Sequence, residues 1–559
     1  MKLNDLTLFS SDNTEKWLAA DIKPPAFDRA GLIERTKSAP TWVHFGAGNI
    51  FRAYLARACQ ELVEAGFYDK GVIAAEGFDH EIIDMAFTPF DSLFILVTLK
   101  SDGSADKKAV ASITEALKAS SSHEDFSRLK EIFRAESLQM ASFTITEKGY
   151  SLQSAAKETP PDILYDFENG TEAPRSYMGR IAALLYERYK HSADALALVS
   201  MDNCSHNGDK LKAAVSAFAK EWEERGLAQK GFLAYINNPQ KISFPWSMID
   251  KITPAPHKDV KKMLEDSGIC GMATIVTSKN SYAAPFVNAE ETEYLVVEDA
   301  FPNGRPPLDK AGIIFTDRET VDKTEKMKVC TCLNPLHTAL AIFGCLLGYN
   351  KISEEMKDPD LKKLVEKIGY EEGLPSVVDP VIISPGKFLA EVINVRLPNP
   401  FLPDTPQRIA TDTSQKLPIR FGETVKAYLD RSDLDIANLK LIPLVFAAWL
   451  RYLMGVCDNG NSMEVSPDPL FLPLNSHIKH VRFGITDDEN PPEQTNISGE
   501  LLPAPVSYRE RIRPILEDAR IFGVNLYEAG LGEKVEDMFG ELIEGAGAVR
   551  KTLQKYLNS

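Results

Sequence analysis

A chain of 559 residues predicts two to four domains. Apolar residues make up 44% and charged residues 26%, which excludes disorder as a description of the whole. The net charge of −17, from 63 Lys and Arg against 80 Asp and Glu, disfavours nucleic-acid backbones and anionic membranes as partners, but a few local cations can still hold a small anion.

The first residues, MKLNDLTLFSSDNTEKW, carry no apolar run after the first basic residue, so no secretory signal is expected. WVHF (42–45), GVIAA (71–75), SLFILVTL (92–99), ASFTIT (141–146) and ALALVSM (195–201) read as strands. They are apolar on both faces and separated by helix-length segments, the pattern of a parallel sheet covered on both sides. Between the first two lies 50–66, a helix by its spacing of Phe51, Tyr54, Leu55, Ala58 and Leu62.

HFGAGNIFR (44–52) joins the first strand to this helix. Gly46 permits a tight turn, and Gly48 lets backbone approach a pyrophosphate seated on the helix N-terminus, with Asn49 inside the turn. The third glycine of the six-residue fingerprint is replaced by Phe51, and Arg52 offers a cation near the phosphates. The second strand ends in AAEGFD, where Glu76 or Asp79 would accept the ribose hydroxyls. No Arg or Lys follows until Lys100, so NAD is expected over NADP.

SMDNCSHNGDK (200–210) follows a strand and shares the edge of the glycine turn. FPWSMIDKITP (244–254) places Asp250 on a strand bracketed by prolines. The densest polar cluster is EKMKVCTCLNPLHTAL (325–340). With a helix starting at Pro335, Asn334 and His337 share a face, and Lys326 and Lys328 lie just upstream. A lysine taking the hydroxyl proton, with Asn and His holding the oxygen, can oxidise an alcohol without metal. A free lysine titrates near about 10.4, so such an amine needs burial or neighbouring cations. A plainer account also fits: Asn334 as helix cap, His337 as core histidine, the lysines as a solvated patch.

The remainder reads as mainly helical: 337–349, 360–374, 443–456 and 535–557, divided by the proline-rich loops 396–406 and 489–496. LIPLVFAAWL (441–450) reads as a buried helix. We expect domains at 1–300 and 301–559, the junction lying within 285–320. Seven scattered cysteines argue for reduced thiols in a cytoplasm. Cys330 and Cys332 have no second pair at zinc spacing, so no metal site is expected.

HFGAGNIFRAY, FTITEKGYSL, SMDNCSHNGDK, FPWSMIDKITP, EYLVVEDAFPNGRP and EKMKVCTCLNPLHTAL, in that order, resemble the mannitol dehydrogenase family of polyol-specific long-chain dehydrogenases. The resemblance implies a Rossmann-type N-terminal domain, a mainly helical C-terminal domain and an active site between them. It also implies metal-independent, NAD-linked interconversion of a C6 sugar acid or polyol and its keto form. It makes Lys328, Asn334 and His337 the catalytic set, with Asn203 a second oxygen-polarising donor and Glu325 a proton relay. Asp250, Arg408 and Lys416 would contact substrate, and the basic pair favours a hexuronate. Five residues separate Lys328 from Asn334 where the family usually has four; Trp246 replaces a common Asn, and Pro335 a common Gly. A dinucleotide-binding sensor without turnover and a zinc alcohol dehydrogenase are the alternative classes.

Overall fold

The structure, a computed structural model, describes residues 2–4, 11–154, 156–484 and 507–559. The expected loop 489–496 lies outside the described residues. The chain divides into two units, Met1–Asp322 and Lys323–Ser559. The division falls later than 300/301 because strand Ile314–Thr316 pairs in parallel with Tyr294–Glu298 and stays with the first unit.

In the first unit, β1 (Trp42–Phe45), β2 (Val72–Glu76), β3 (Ile113–Lys118), β4 (Met140–Phe143), β5 (Leu196–Ser200) and β6 (Ile242–Ser243) form one sheet. Its order is β3-β2-β1-β4-β5-β6, every pair parallel, which is the doubly wound Rossmann arrangement. Side chains alternate across the sheet and both faces are covered. Val43, Phe45, Leu196 and Leu198 pack with Leu129, Leu184 and Trp222, while Trp42, Ala197 and Val199 pack with Phe51, Leu55 and Leu62. That double burial explains why these strands lack a polar face.

The run 92–99 is a strand, Phe94–Leu99, but it does not join this sheet. It lies between Ala105–Val110, antiparallel, and Phe286–Glu290, parallel, in a separate three-stranded sheet. Apolar content signals a buried strand without naming its neighbour. A third sheet pairs Ser247–Asp250 antiparallel with Tyr294–Glu298.

The second unit is built from helices, among them Asn334–Leu347, Pro359–Lys367, Leu441–Leu453, Gly532–Leu542 and Ala548–Leu557. All of Leu441–Leu453 is buried, and Glu372 caps its start by accepting from the N–H groups of Lys440, Leu441 and Ile442 at 2.7–2.8 Å. Glu355 is wholly buried against Gly344, and neither carboxyl oxygen has a hydrogen-bond partner among the described residues.

Candidate functional site

In a doubly wound sheet, ligands bind beyond the carboxyl ends of the strands, where the order reverses. Here the reversal lies between β1 and β4. Gly46 follows β1 with φ +110°, and a Cβ there would collide with the Thr144 carbonyl that follows β4. Only glycine satisfies both demands. At Gly48 a Cβ would meet nothing, so the turn opens on free space at the start of the helical segment Phe51–Ala56 and Arg57–Glu64. A turn of this kind, with open room before a helix, fits a dinucleotide pyrophosphate.

The side chains around the turn serve the protein first. Glu76 accepts from the N–H groups of Ala47 (2.8 Å), Phe78 (2.7 Å) and Asp79 (3.0 Å). A carboxylate has about four acceptor positions. Glu76 therefore keeps one open and cannot take both ribose hydroxyls through separate free oxygens. Asp79 accepts from the Thr277 hydroxyl at 2.6 Å. Tyr177 closes its ring against Gly77, and its buried hydroxyl has no partner among the described residues.

The expected phosphate-binding role of Arg52 is corrected. Its guanidinium is buried, donates to Ala284 O and Asn49 Oδ1 (both 2.7 Å), and lies over Phe87 and Phe94. Burial lowers it to about 10. The Asn49 amide is likewise spent, donating to Pro254 O at 3.1 Å. Phe51, at the missing third glycine, stacks on His44 at 4.3 Å. Burial pushes that histidine down to about 3, so it stays neutral between Ser142 and Thr144.

The loops after β4 and β5 are tied together by Asp202. It accepts from Ile145 N (3.0 Å), Thr146 N (2.8 Å) and the Tyr150 hydroxyl (2.5 Å). Thr146 is held at φ +64°, a strained conformation for a β-branched residue. Asn207 is buried and bonds Asp202 O, Ser247 O and Ser247 Oγ at 2.9–3.0 Å, which fixes the start of the Asp250 strand. Asn203 stands exposed between these ties, and Asp250 is buried at its strand end. Trp246 donates to Asp209 Oδ1 at 3.0 Å and stacks with His206. Asp202 and Thr146 were not singled out from the sequence, although Asp202 lies in the polar segment 200–210 and Thr146 ends the strand run 141–146.

In the second unit, Lys328 is 2% exposed, whereas Lys326 is exposed. Lys328 sits in a π-helical turn, Met327–Cys332, closed by a bond from Leu333 N to Lys328 O at 3.1 Å. A π turn holds one residue more than an α turn, so the additional residue before Asn334 is taken up inside the helix and not looped out. Burial pushes the Cys332 thiol up to about 12, as befits an inert core cysteine. The chain bends at Leu333 and restarts as Asn334–Leu347 with Pro335 in its first turn.

The cap position falls on Leu333, whose side chain makes no capping bond, and Asn334 is the first residue of the helix. Its carbonyl accepts from the Thr338 hydroxyl at 2.9 Å. His337 Nε2 lies 3.4 Å from Asp404 Oδ2, and Asp404 also pairs with Arg408. Burial alone would raise the Asp404 carboxyl, but His337 and Arg408 hold it below its ordinary value. Lys416 donates to Ile409 O (3.0 Å) and to Thr411 O. Burial, then the charges of Arg420 and Arg408, lower it to about 8. Arg420 went unnoticed in the sequence; it donates to Thr338 Oγ1 at 2.6 Å.

Residues 40–310 match the family described as mannitol dehydrogenase Rossmann domain, and 320–499 match mannitol dehydrogenase C-terminal domain. The chain is 53% identical over 557 residues, 99% of both chains, to a D-mannonate oxidoreductase of Thermotoga maritima. It is 29% identical to the D-mannonate oxidoreductase of Escherichia coli, over 80% of this chain and 86% of that one. Its fold matches the Pseudomonas fluorescens mannitol 2-dehydrogenase solved with NAD and D-mannitol, with a TM-score of 0.67, 25% identity and complete coverage of both chains.

Proposed function

Because the chain belongs to the mannitol dehydrogenase family, we propose that it is an NAD-linked oxidoreductase that interconverts D-fructuronate and D-mannonate. The observation that carries this reading is the 53% identity, end to end, with a D-mannonate oxidoreductase. The free room at Gly48, the positive φ of Gly46 and the Tyr177 hydroxyl beside Gly77, which has no partner among the described residues, support a dinucleotide at the carboxyl ends of β1 and β2. When bound, NAD supplies the hydride donor and acceptor.

The chain's own residues do the rest. In the direction of reduction, negative charge grows on the keto oxygen. Asn203, Asn334 and His337 donate hydrogen bonds to it, stronger as the charge develops. Lys328 delivers its proton to that oxygen, and Glu325 passes a replacement from water. Asp404 orients His337. Asp250 takes sugar hydroxyls, and Lys416 with Arg408 forms the basic margin of the substrate site.

The test is NADH oxidation with D-fructuronate, D-tagaturonate and D-fructose, with and without a chelator. Fructuronate should give the largest kcat/KM, unchanged by chelation. A preference for fructose would make this a mannitol 2-dehydrogenase, and cofactor binding without turnover would make it a sensor. Activity abolished by the chelator would indicate a metal enzyme.

A further inference from the structure

The second unit holds a guanidinium without a counter-ion. Arg420 lies in the π-helical segment Pro418–Gly422, and its guanidinium donates to Thr338 Oγ1 at 2.6 Å. Among the described residues no carboxylate pairs with it. The side chain is partly buried, and that burial lowers it to about 10. The Thr338 hydroxyl donates in turn to the Asn334 carbonyl, one helical turn back, so Arg420 reaches the face that carries Asn334.

The other cations nearby are already spent. Arg408 is neutralised by Asp404. Lys416 donates to two backbone carbonyls and is repelled by Arg420. Of the acids that act on Lys416, Asp468 is taken up by the Ser414 hydroxyl and N–H and by Leu470 N, and Asp412 lies in the turn before Thr413–Leu417. Lys416 thus lies within reach of the Arg420 charge, with Asp412 and Asp468 acting on it in the opposite sense. Guanidinium is a planar fork suited to two carboxylate oxygens, and burying one unpaired is costly unless a ligand completes it.

We propose that Arg420 is the counter-ion of the substrate carboxylate, and that it sets the preference for sugar acids over neutral sugars. This rests on the hexuronate reading above. The carboxylate lies against the remaining N–H groups of the guanidinium, with Lys416 adding charge at its side. Arg408 then serves Asp404 and, through it, His337.

The test compares unaltered enzyme, Arg420→Met and Arg420→Lys on D-fructuronate and D-fructose. The ratio of the two kcat/KM values should fall by about 10- to 100-fold in Arg420→Met, carried mainly by KM for the acid, and by less in Arg420→Lys. Thermal melting should show Arg420→Met at least as stable as the unaltered protein, since a structural ion pair is not lost. If Arg420→Met does not fold, Arg420→Lys carries the comparison. An unchanged ratio in a folded variant overturns the assignment and leaves the hexuronate reading standing. Turnover of D-fructose or D-fructose 6-phosphate but not D-fructuronate by the unaltered enzyme overturns the hexuronate reading itself, and the assignment with it.

Discussion

The glycine turn and the helix that begins at Asn334 differ in what their polar groups have left to offer. Around the turn, Glu76, Asp79, Arg52, Asn49, Asp202 and Asn207 are bonded to protein, and what remains open is backbone and space. Around the helix, Arg420 has no carboxylate partner among the described residues, and Asn334 opens the helix behind a Leu333 cap that makes no side-chain bond. The first region is shaped to admit a ligand common to many reactions. On the proposal above, the second spends stability on side chains that discriminate. Damage should therefore appear as lost folding or cofactor binding in one region, and as lost chemistry in the other.

The largest expected effect is on chemistry. Lys328→Ala should lower kcat by about 10²–10⁴-fold, with cofactor affinity little changed. Lys326→Ala, at an exposed position, should stay near the unaltered rate. Steady-state kinetics that reverse these two results would move the acid–base amine to Lys326.

The glycines sharpen the contrast within one turn. Gly46→Ala forces a side chain into φ +110° and against the Thr144 carbonyl, so denaturant titration should show a loss of at least about 2 kcal/mol. Gly48→Ala meets no neighbour and should leave stability within about 0.5 kcal/mol. Its methyl group should instead weaken NADH binding about tenfold or more, read by fluorescence titration. Equal destabilisation by both changes would break the distinction between a constrained and an open glycine.

A pH-dependent effect is expected from Glu355. Burial, reinforced by the charge of Asp358, pushes its carboxyl up to about 9, against about 4.3 for a free glutamate. The folded chain keeps a proton that the unfolded chain gives up. Stability contributed by this group is therefore full below about pH 4.3 and is lost as pH rises to about 9, with a slope of up to about 1.4 kcal/mol per pH unit. Glu355→Gln should match the parent near pH 4 and melt higher than it at pH 8. Parallel melting curves across that range would refute the buried neutral acid.

Much of this was legible beforehand, for local reasons. β1, β2, β4 and β5, the glycine turn and the fully buried helix Leu441–Leu453 all follow from short-range periodicity and turn chemistry. The failures share a cause: they depend on partners distant in sequence. Phe94–Leu99 has the composition of a central parallel strand, but its neighbour in register is Phe286–Glu290. Glu76 stands where a ribose acid is expected, yet the Ala47 N–H claims it. Arg52 looks like a phosphate ligand until Ala284 is seen to receive it. Arg420 had one available signal, its place four residues after Lys416 on a continuing helical stretch, which sets two cations on one face.

The widened turn at Met327–Cys332 has an evolutionary consequence. An ordinary helix that gains a residue rotates everything beyond it by roughly 100° and scrambles the interior it packs against. Here the added residue is confined to one loosened coil, and the bend at Leu333 resets the phase before the next helix begins. A residue gained or lost at this spot is absorbed without rebuilding a hydrophobic interior. The reach from amine to amide becomes a heritable variable, free to drift while the surrounding scaffold stands still.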